Sequence, residues 1–403
     1  MFDAEPDGWE QTTLGAIATL GGGTTPSKSE EGYWSDGSTP WATPSDITSL
    51  PSGTARISAT EVAVTDRALK ECSLPLNPPG TVLMTSRATI GYAALNDVPM
   101  ATNQGFITFR CGDRADPEFL LHWLTAKRDF LVGAAGGSTF KELSRGTAKL
   151  LPILLPPLHE QRRIAEVLRS VDEAITTTQA AVAQGVALWQ ALAENLIWGL
   201  EVQSPECLKP IGTALRGSDY GVNVPLTLEP VGHPVLRMGN IQDGRIDPSD
   251  MKWGDVPPSD ADALSLNDGD ILFNRTNSRD LVGKVALVRE PTDCLYASYI
   301  VRLSVDRTVA DPYYLFAVMH SDRAQSTFKT IATPGVSQSN INPTNLKMQR
   351  VPLPDLATQR AIAGQLRSIE DARLGSQQQL EALQMIKKDL ATNLLSGRVR
   401  VPE

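Results

Sequence analysis

Asn274-Arg-Thr-Asn-Ser-Arg279 is a run of six side chains that each carry a hydrogen-bond donor or acceptor, and it follows directly on the strand-like run Asp270–Phe273. Arginine matches guanine O6 and N7, asparagine and glutamine match adenine N6 and N7, and serine and threonine adapt to several partners. Such a run on a loop is suited to reading base edges in a DNA groove. Residues of these types gather at matching places in the two halves of the chain. The first half offers Lys28, Ser29, Tyr33, Trp41, Ser45, Thr85, Ser86, Arg87, Ser138 and Lys141. The second offers Arg237, Asn240, Arg275, Thr276, Asn277, Arg279, Ser337, Gln338 and Asn340. The alternative for each of them is an ordinary solvated turn.

Other chemistries find little support. Asn77-Pro-Pro-Gly80 shares three residues with the Asn-Pro-Pro-aromatic motif of amino-methyltransferases, but Gly80 stands where the aromatic stacks on a flipped base, and no strand with a Gly-x-Gly cofactor loop precedes it. A turn before Val82 explains it. Asp311-Pro-Tyr-Tyr314 reads as a helix start, in the position of Asp116-Pro117. No Gly-x-x-x-x-Gly-Lys-Ser/Thr phosphate loop occurs, and Gly21–Gly23 reads as a turn. His122, His159, His233 and His320 lack ligand or triad spacing, with His122 and His320 covering helix faces. Cys72, Cys111, Cys207 and Cys294 form no CxxC pair. No catalytic residue, metal site or cofactor is expected.

Charge at first argues against nucleic acid. The 403 residues carry a formal charge of −9, whereas a free-standing nucleic-acid binder usually has a pI above about 9. Residues 1–150 hold 12 basic against 17 acidic side chains, 151–200 hold 3 against 5, 201–350 hold 15 against 18, and 351–403 hold 7 against 6. No segment is a basic block, so a generic phosphate grip working by counterion release is not expected. Met1–Glu10 carries four acids and no base, and the longest apolar run, Leu150–Leu158, is broken by Pro152, Pro156 and Pro157. A cytoplasmic protein with no membrane contact is expected.

The elements that must position the candidate donors follow from a repeat. Leu158–Gly199 aligns without a gap on Leu356–Gly397 at an offset of 198, with 15 of 42 positions identical, including Gln161, Arg162, Ile164, Ala165 and Leu168 against Gln359, Arg360, Ile362, Ala363 and Leu366. Upstream, Gly80-Thr-Val-Leu-Met matches Gly269-Asp-Ile-Leu-Phe, and Leu14-Gly15 matches Ile211-Gly212. The chain therefore reads as two copies of one unit, each a globular part followed by a helix. The first helix has a 4-3 seam through Ile164, Leu168, Val171, Ile175, Val182, Trp189 and Leu196. The second has Ile362, Leu366, Ile369, Leu380, Leu383, Leu390 and Leu394, with a polar break at Arg373, Ser376 and Lys387. Both start after prolines, with Asp355 as an N-cap, and end near Gly199 and Gly397. Each reaches about 60 Å. If the copies are related by a two-fold axis, the helices run antiparallel and hold the two globular parts apart. Those parts read as mixed α/β, with strands at Thr81–Thr85, Gly105–Arg110, Asp270–Phe273, Lys284–Val288 and Ile300–Val305. One helix per copy follows Asp-Pro, at Pro117–Phe130 and from Pro312 past Ser321.

At this point the residues resemble a known family. Leu20-Gly-Gly-Gly-Thr-Thr-Pro-Ser27, Tyr33-Trp34 and Pro40-Trp-Ala-Thr-Pro-Ser-Asp-Ile47 are similar to the opening of a target recognition domain, and Pro79–Gly91 to its central strand–loop–Gly motif. Leu154–Ala165 and Val351–Ala363 are similar to the starts of two spacer helices. Together with the duplication they resemble the DNA specificity (S) subunit of type I restriction–modification systems. The resemblance implies two tandem α/β target recognition domains, residues 1–155 and 201–353, separated by two long antiparallel helices, residues 156–200 and 354–403. These would form a coiled coil with pseudo-two-fold symmetry. It further implies a non-catalytic subunit in which each domain reads half of a bipartite target in double-stranded DNA. The helices would set the spacer and dock two methyltransferase (M) subunits, joined by restriction (R) motor-nuclease subunits. Gly217-Ser-Asp-Tyr-Gly-Val-Asn replaces the first copy's Gly-rich opening, so the second domain is expected to read a different sequence. The competing readings are a DNA-binding or scaffold subunit of a related methyltransferase-based defence system, and a methyltransferase acting alone.

Overall fold

A computed structural model describes residues 6–51, 53–137, 141–336 and 338–401. It contains two compact units, Met1–Ala180 with Ser376–Glu403, and Ala181–Gly375. Each combines one α/β part with half of each long helix, cutting across segment boundaries at 200/201 and 353/354. The reason is burial. In the first unit Trp9, Phe119 and Trp123 share a core with Ile164, Leu168 and Leu394. In the second, Phe273, Tyr313 and Phe316 share one with Trp189, Ile362 and Leu366.

The first unit is built on a five-stranded sheet in the order Ala18–Gly21, Phe106–Cys111, Val82–Thr85, Ala93–Asn96, Arg56–Ile57. Val82–Thr85 is buried at every position, as a central strand covered on both faces must be. Alternation divides its side chains: Val82 and Met84 join the helix-covered core, and Leu83 packs with Ala42, Ile47 and Phe106. A small sheet pairs Thr39–Ala42 antiparallel with Ala63–Val64 and parallel with Ala101–Thr102. A ladder of Glu10–Thr13 with Pro152–Leu155 closes the α/β part just before the first long helix.

The second unit repeats this plan. Its four-stranded sheet runs Leu215–Tyr220, Ile300–Val305, Ile271–Asn274, Val285–Leu287, with Ile271 and Phe273 facing one core and Leu272 the other. Its small sheet pairs His233–Leu236 antiparallel with Lys252–Gly254 and parallel with Leu295–Tyr296, and Leu208–Pro210 with Arg350–Pro352 closes it. The expected strands lie nearly where the sequence puts them, and the mixed α/β class holds in both units.

The Asp-Pro helices are shorter than expected. Pro117–Ala126 breaks at Lys127 before Arg128–Ala134. Pro312–His320 breaks at Ser321, whose backbone is extended and whose side-chain hydroxyl caps Asp322–Ile331 by accepting from the Ala324 N–H. The repeated Gln-Arg signature also acquires a structural role. Gln161 accepts from the Asp116 N–H at 2.8 Å and donates to the Arg114 and Pro156 carbonyls. Gln359 accepts from the Asp311 N–H at 2.9 Å and donates to Val309 and Pro354. One buried glutamine thus ties the start of each Asp-Pro helix to the start of a long helix.

The long helices are Leu158–Ala193 and Leu356–Leu394. Asp355 caps the second, accepting from the Thr358 N–H at 3.0 Å. The first continues as a π turn, Glu194–Trp198, and Gly199 stays right-handed at φ −58°; it is not the stop expected of it. Gly397 is, at φ 71°. Within each unit the two helical segments run antiparallel. In the first, Glu160 meets Arg400 and Asp172 meets Lys387. In the second, Gly185 lies against Arg373 and Trp189 reaches Glu370 through the Tyr313 hydroxyl. Ile164, Leu168, Ile175, Trp189, Ile362, Leu366, Leu380 and Leu394 are buried, while Val171, Val182, Leu196, Ile369, Leu383 and Leu390 are half-buried. Among the described residues no helix is long and apolar enough to cross a membrane, and no group of His, Cys, Asp or Glu could hold a metal ion.

Candidate nucleic-acid interface

In the first unit the loop after the central strand is firmly held. Thr85 Oγ1 accepts from the Tyr92 N–H at 3.2 Å and donates to the Thr89 carbonyl. The Ser86 N–H donates to the Gly105 carbonyl at 2.7 Å. Arg128 clamps the far end, donating to the Ile90 carbonyl at 3.2 Å with its guanidinium 3.9 Å from the Tyr92 ring centre. Ala88 is left in the left-handed region at φ 56°, a conformation that costs a non-glycine residue about 1 kcal/mol or more. Beside it, Arg87 forms an isolated antiparallel bridge with Glu142, and the Leu143 N–H donates to the Ser86 carbonyl at 3.0 Å. The two side chains meet, Arg87 Nε to Glu142 Oε1 at 2.8 Å, and both stay about half exposed at 49% and 45%.

They border a cavity of about 440 Å³ whose walls include Gly22, Gly23, Gln104 and Arg145. Gly23 is forced: a Cβ there would lie 1.9 Å from the Thr102 carbonyl oxygen. The glycine-rich opening therefore serves close backbone packing beside the cavity.

The second unit repeats the geometry with other side chains. The Ile341 N–H donates to the Arg275 carbonyl at 2.8 Å, as Leu143 does to Ser86. Thr276 pairs across from Asn340, its hydroxyl donating to Asn340 Oδ1 at 3.2 Å. The run Asn274–Arg279 is thus not a free loop. Asn274 ends the central strand and is fully buried, Thr276–Asn277 pairs with Ser339–Asn340, and only Ser278 and Arg279 are exposed. Arg275 lies over the Tyr220 ring at 5.1 Å, a cation–π contact that holds its direction.

The remaining candidates separate by burial. Lys28, Ser29, Ser45, Lys141 and Gln338 are exposed. Tyr33 is half-buried, donating to Glu71 at 3.0 Å under the Arg67 guanidinium. Trp41, Thr85, Ser86 and Asn240 are buried and act from within. Trp41 donates to the Thr24 carbonyl, and Asn240 accepts from the Arg237 N–H and donates to the Asp247 and Asp250 carbonyls. These side chains shape loops rather than face a groove. Arg237 is largely buried and paired with Asp250 at 2.5 Å. Ser138 and Ser337 lie outside the described residues. Glu142, Gln104 and Arg145 were not among the expected residues; the alignment of Glu142-Leu-Ser144 with Asn340-Ile-Asn342 at the helix offset is the signal that finds the first of them.

One buried polar centre sits between helices of the first unit. His122 lies 3.9 Å from Asp172, which pairs with Lys387 at 2.5 Å. Burial, with the Lys387 charge, lowers the His122 pKa to about 4, so the ring is neutral. Asn77 is buried and donates to the Met100 carbonyl at 3.0 Å, leaving Asn77–Gly80 a structural turn.

The family model of the type I restriction modification DNA specificity domain matches this chain twice, over residues 6–184 and 225–384. The chain is 40% identical over 172 residues to the type I restriction enzyme MjaIX specificity subunit of Methanocaldococcus jannaschii, a match covering 42% of this chain and 39% of that one. It is 22% identical over 384 residues to the EcoKI specificity subunit of Escherichia coli, covering 89% and 81%. The chain thus spans less than half of the length of the first relative and most of the second. The fold is that of the type I restriction–modification S subunit from M. genitalium, at a TM-score of 0.61, 15% identity and 96% coverage of both chains. A structure describing complex assembly and conformational transition of the type I R-M system gives 0.59, at 17% identity, 98% of this chain and 100% of that one. With the model matching both copies of the repeat, and both copies built on one sheet plan, the chain belongs to the family of type I restriction–modification DNA specificity subunits.

Proposed function

We propose that the protein is the non-catalytic, sequence-reading subunit of a type I restriction–modification complex, each α/β part reading one half of a bipartite target in double-stranded DNA. One observation carries this: one plan of main sheet, five-stranded in one unit and four-stranded in the other, with a small sheet and a cross-strand pairing, occurs twice, with different polar side chains at the same places, Arg87–Glu142 in one unit and Thr276–Asn340 in the other. Two readers of one architecture and unlike chemistry suit two unlike half-sites. The long helices set the unread spacer and carry two methyltransferase subunits, which in turn bring the restriction subunits. The absence of a basic block fits a reader whose phosphate contacts are shared with its partners.

Deleting one heptad from each long helix tests the spacer role. Seven residues are about 10 Å of helix, or about three base pairs at 3.4 Å each. Methylome sequencing is expected to show both half-sites unchanged and a shorter gap between them. Altered half-site sequences with an unchanged gap would overturn the role given to the helices.

A further inference from the structure

We infer that the cross-strand pair following the central strand fixes one base pair of each half-site, a G·C pair for the first unit and an A·T pair for the second. This rests on the DNA-reading function proposed above and adds the residues and the bases to it.

The two pairs occupy one structural position. In each unit a backbone bond joins the residue after the central strand to a segment far along the chain, Leu143 N–H to Ser86 and Ile341 N–H to Arg275. The next residue pair faces across that junction, Arg87 with Glu142 and Thr276 with Asn340. In the first unit both side chains are about half exposed and stand at the rim of the 440 Å³ cavity. In the second both are half-buried.

Chemistry then separates them. Arg87 is held through Nε, which directs its Nη donors end-on, the geometry that matches guanine O6 and N7. Glu142 has acceptors only, and the major-groove group of a G·C pair that needs an acceptor is the cytosine N4 amine. Arginine and glutamate side by side therefore complement the donors and acceptors of one G·C pair. An A·T pair meets them badly, because the adenine N6 amine faces the guanidinium where O6 would be. Thr276 and Asn340 carry no charge. The Asn340 amide has a donor and an acceptor for adenine N7 and N6, and the Thr276 methyl suits the thymine methyl. Rigidity supports the assignment: Ala88 is held in a costly left-handed conformation next to Arg87, and Thr85 and Arg128 fix the loop on either side.

The test exchanges the pairs in the full-length chain, expressed with its methyltransferase partner, and reads the modified motif by methylome sequencing. The double variant Arg87→Thr with Glu142→Asn is expected to turn one G·C position of one half-site into A·T while the other half-site stays as it was. Thr276→Arg with Asn340→Glu is expected to do the reverse in the other half. The milder Glu142→Gln keeps the size of the side chain and is expected to relax discrimination at that single position by about 5- to 150-fold, the equivalent of the about 1–3 kcal/mol that one good base contact is worth. A motif identical to wild type in Glu142→Gln, or a change in the wrong half-site in either exchange, overturns the assignment even where the wild-type chain does direct a motif. A wild-type motif that does not depend on this chain instead defeats the underlying function.

Discussion

His122 and Asp172 are two ionisable groups that the fold largely buries, and their charge states follow from that. The His122 pKa is lowered to about 4, chiefly by burial, and Lys387 adds to the effect. Asp172 is raised by burial against the opposing pull of Lys387. At the repeat-equivalent position Glu370 is also buried, yet Arg289 at 2.5 Å, the Tyr313 hydroxyl at 2.7 Å and Arg245 at 3.6 Å outweigh burial and lower it. For His122 the sign is set by a folded pKa below the unfolded value near 6.5. The unfolded chain binds the proton first, so the stability of burying the neutral ring is present above about pH 6.5 and is lost as pH falls toward 4. The loss is on the order of 3 kcal/mol. Urea unfolding between pH 7 and pH 4 is expected to show this fall in the wild type and a flatter profile in His122→Gln; equal slopes would contradict the assignment.

At the scale of elements, the second unit's helix pairing depends on one absent side chain. A Cβ at Gly185 would stand 3.1 Å from Arg373 Cβ and 3.2 Å from its Cγ, and the arginine runs past it to Asp243, Nη1 to Oδ2 at 2.7 Å. The repeat position of Gly185 in the other helix is Leu383, so the seam itself favours a larger residue. Gly185→Leu is expected to overpack this crossing and cost about 1–3 kcal/mol, read as a fall of a few degrees in melting temperature. Adding Arg373→Ala removes the Cγ contact but keeps the Cβ and gives up the Asp243 pair, so it is expected to recover part of the loss, whereas no recovery would show that the crossing is not the cause. These helices were legible in the sequence because seam spacing and proline boundaries are local signals. So were the central strands, whose apolar runs are unbroken. The π turn at Glu194–Trp198 and the break at Ser321 were not, because each depends on what packs against it. Trp198, for example, donates to the Ser321 hydroxyl at 2.9 Å.

For the whole chain, duplication was the legible feature, and it carried both fold and family. The site was legible only in part. The sequence places Arg87, Thr276 and Asn340 among polar residues of the right type, but Asn240 and Thr85 have the same types and are consumed inside their loops. Composition cannot tell a side chain that faces a groove from one that caps its own turn. Glu142 escaped because its meaning comes from a partner 55 positions earlier, Arg87. The charge of −9 takes its sense at this scale as well: it speaks against a generic phosphate grip and not against the base contacts proposed above. The most direct measurement is the methylome of cells carrying the methyltransferase partner with and without this chain. A modified motif of two unlike parts around a fixed unread gap, present only when the chain is supplied, is the predicted result. The same motif in its absence, or a contiguous motif in its presence, would contradict the account.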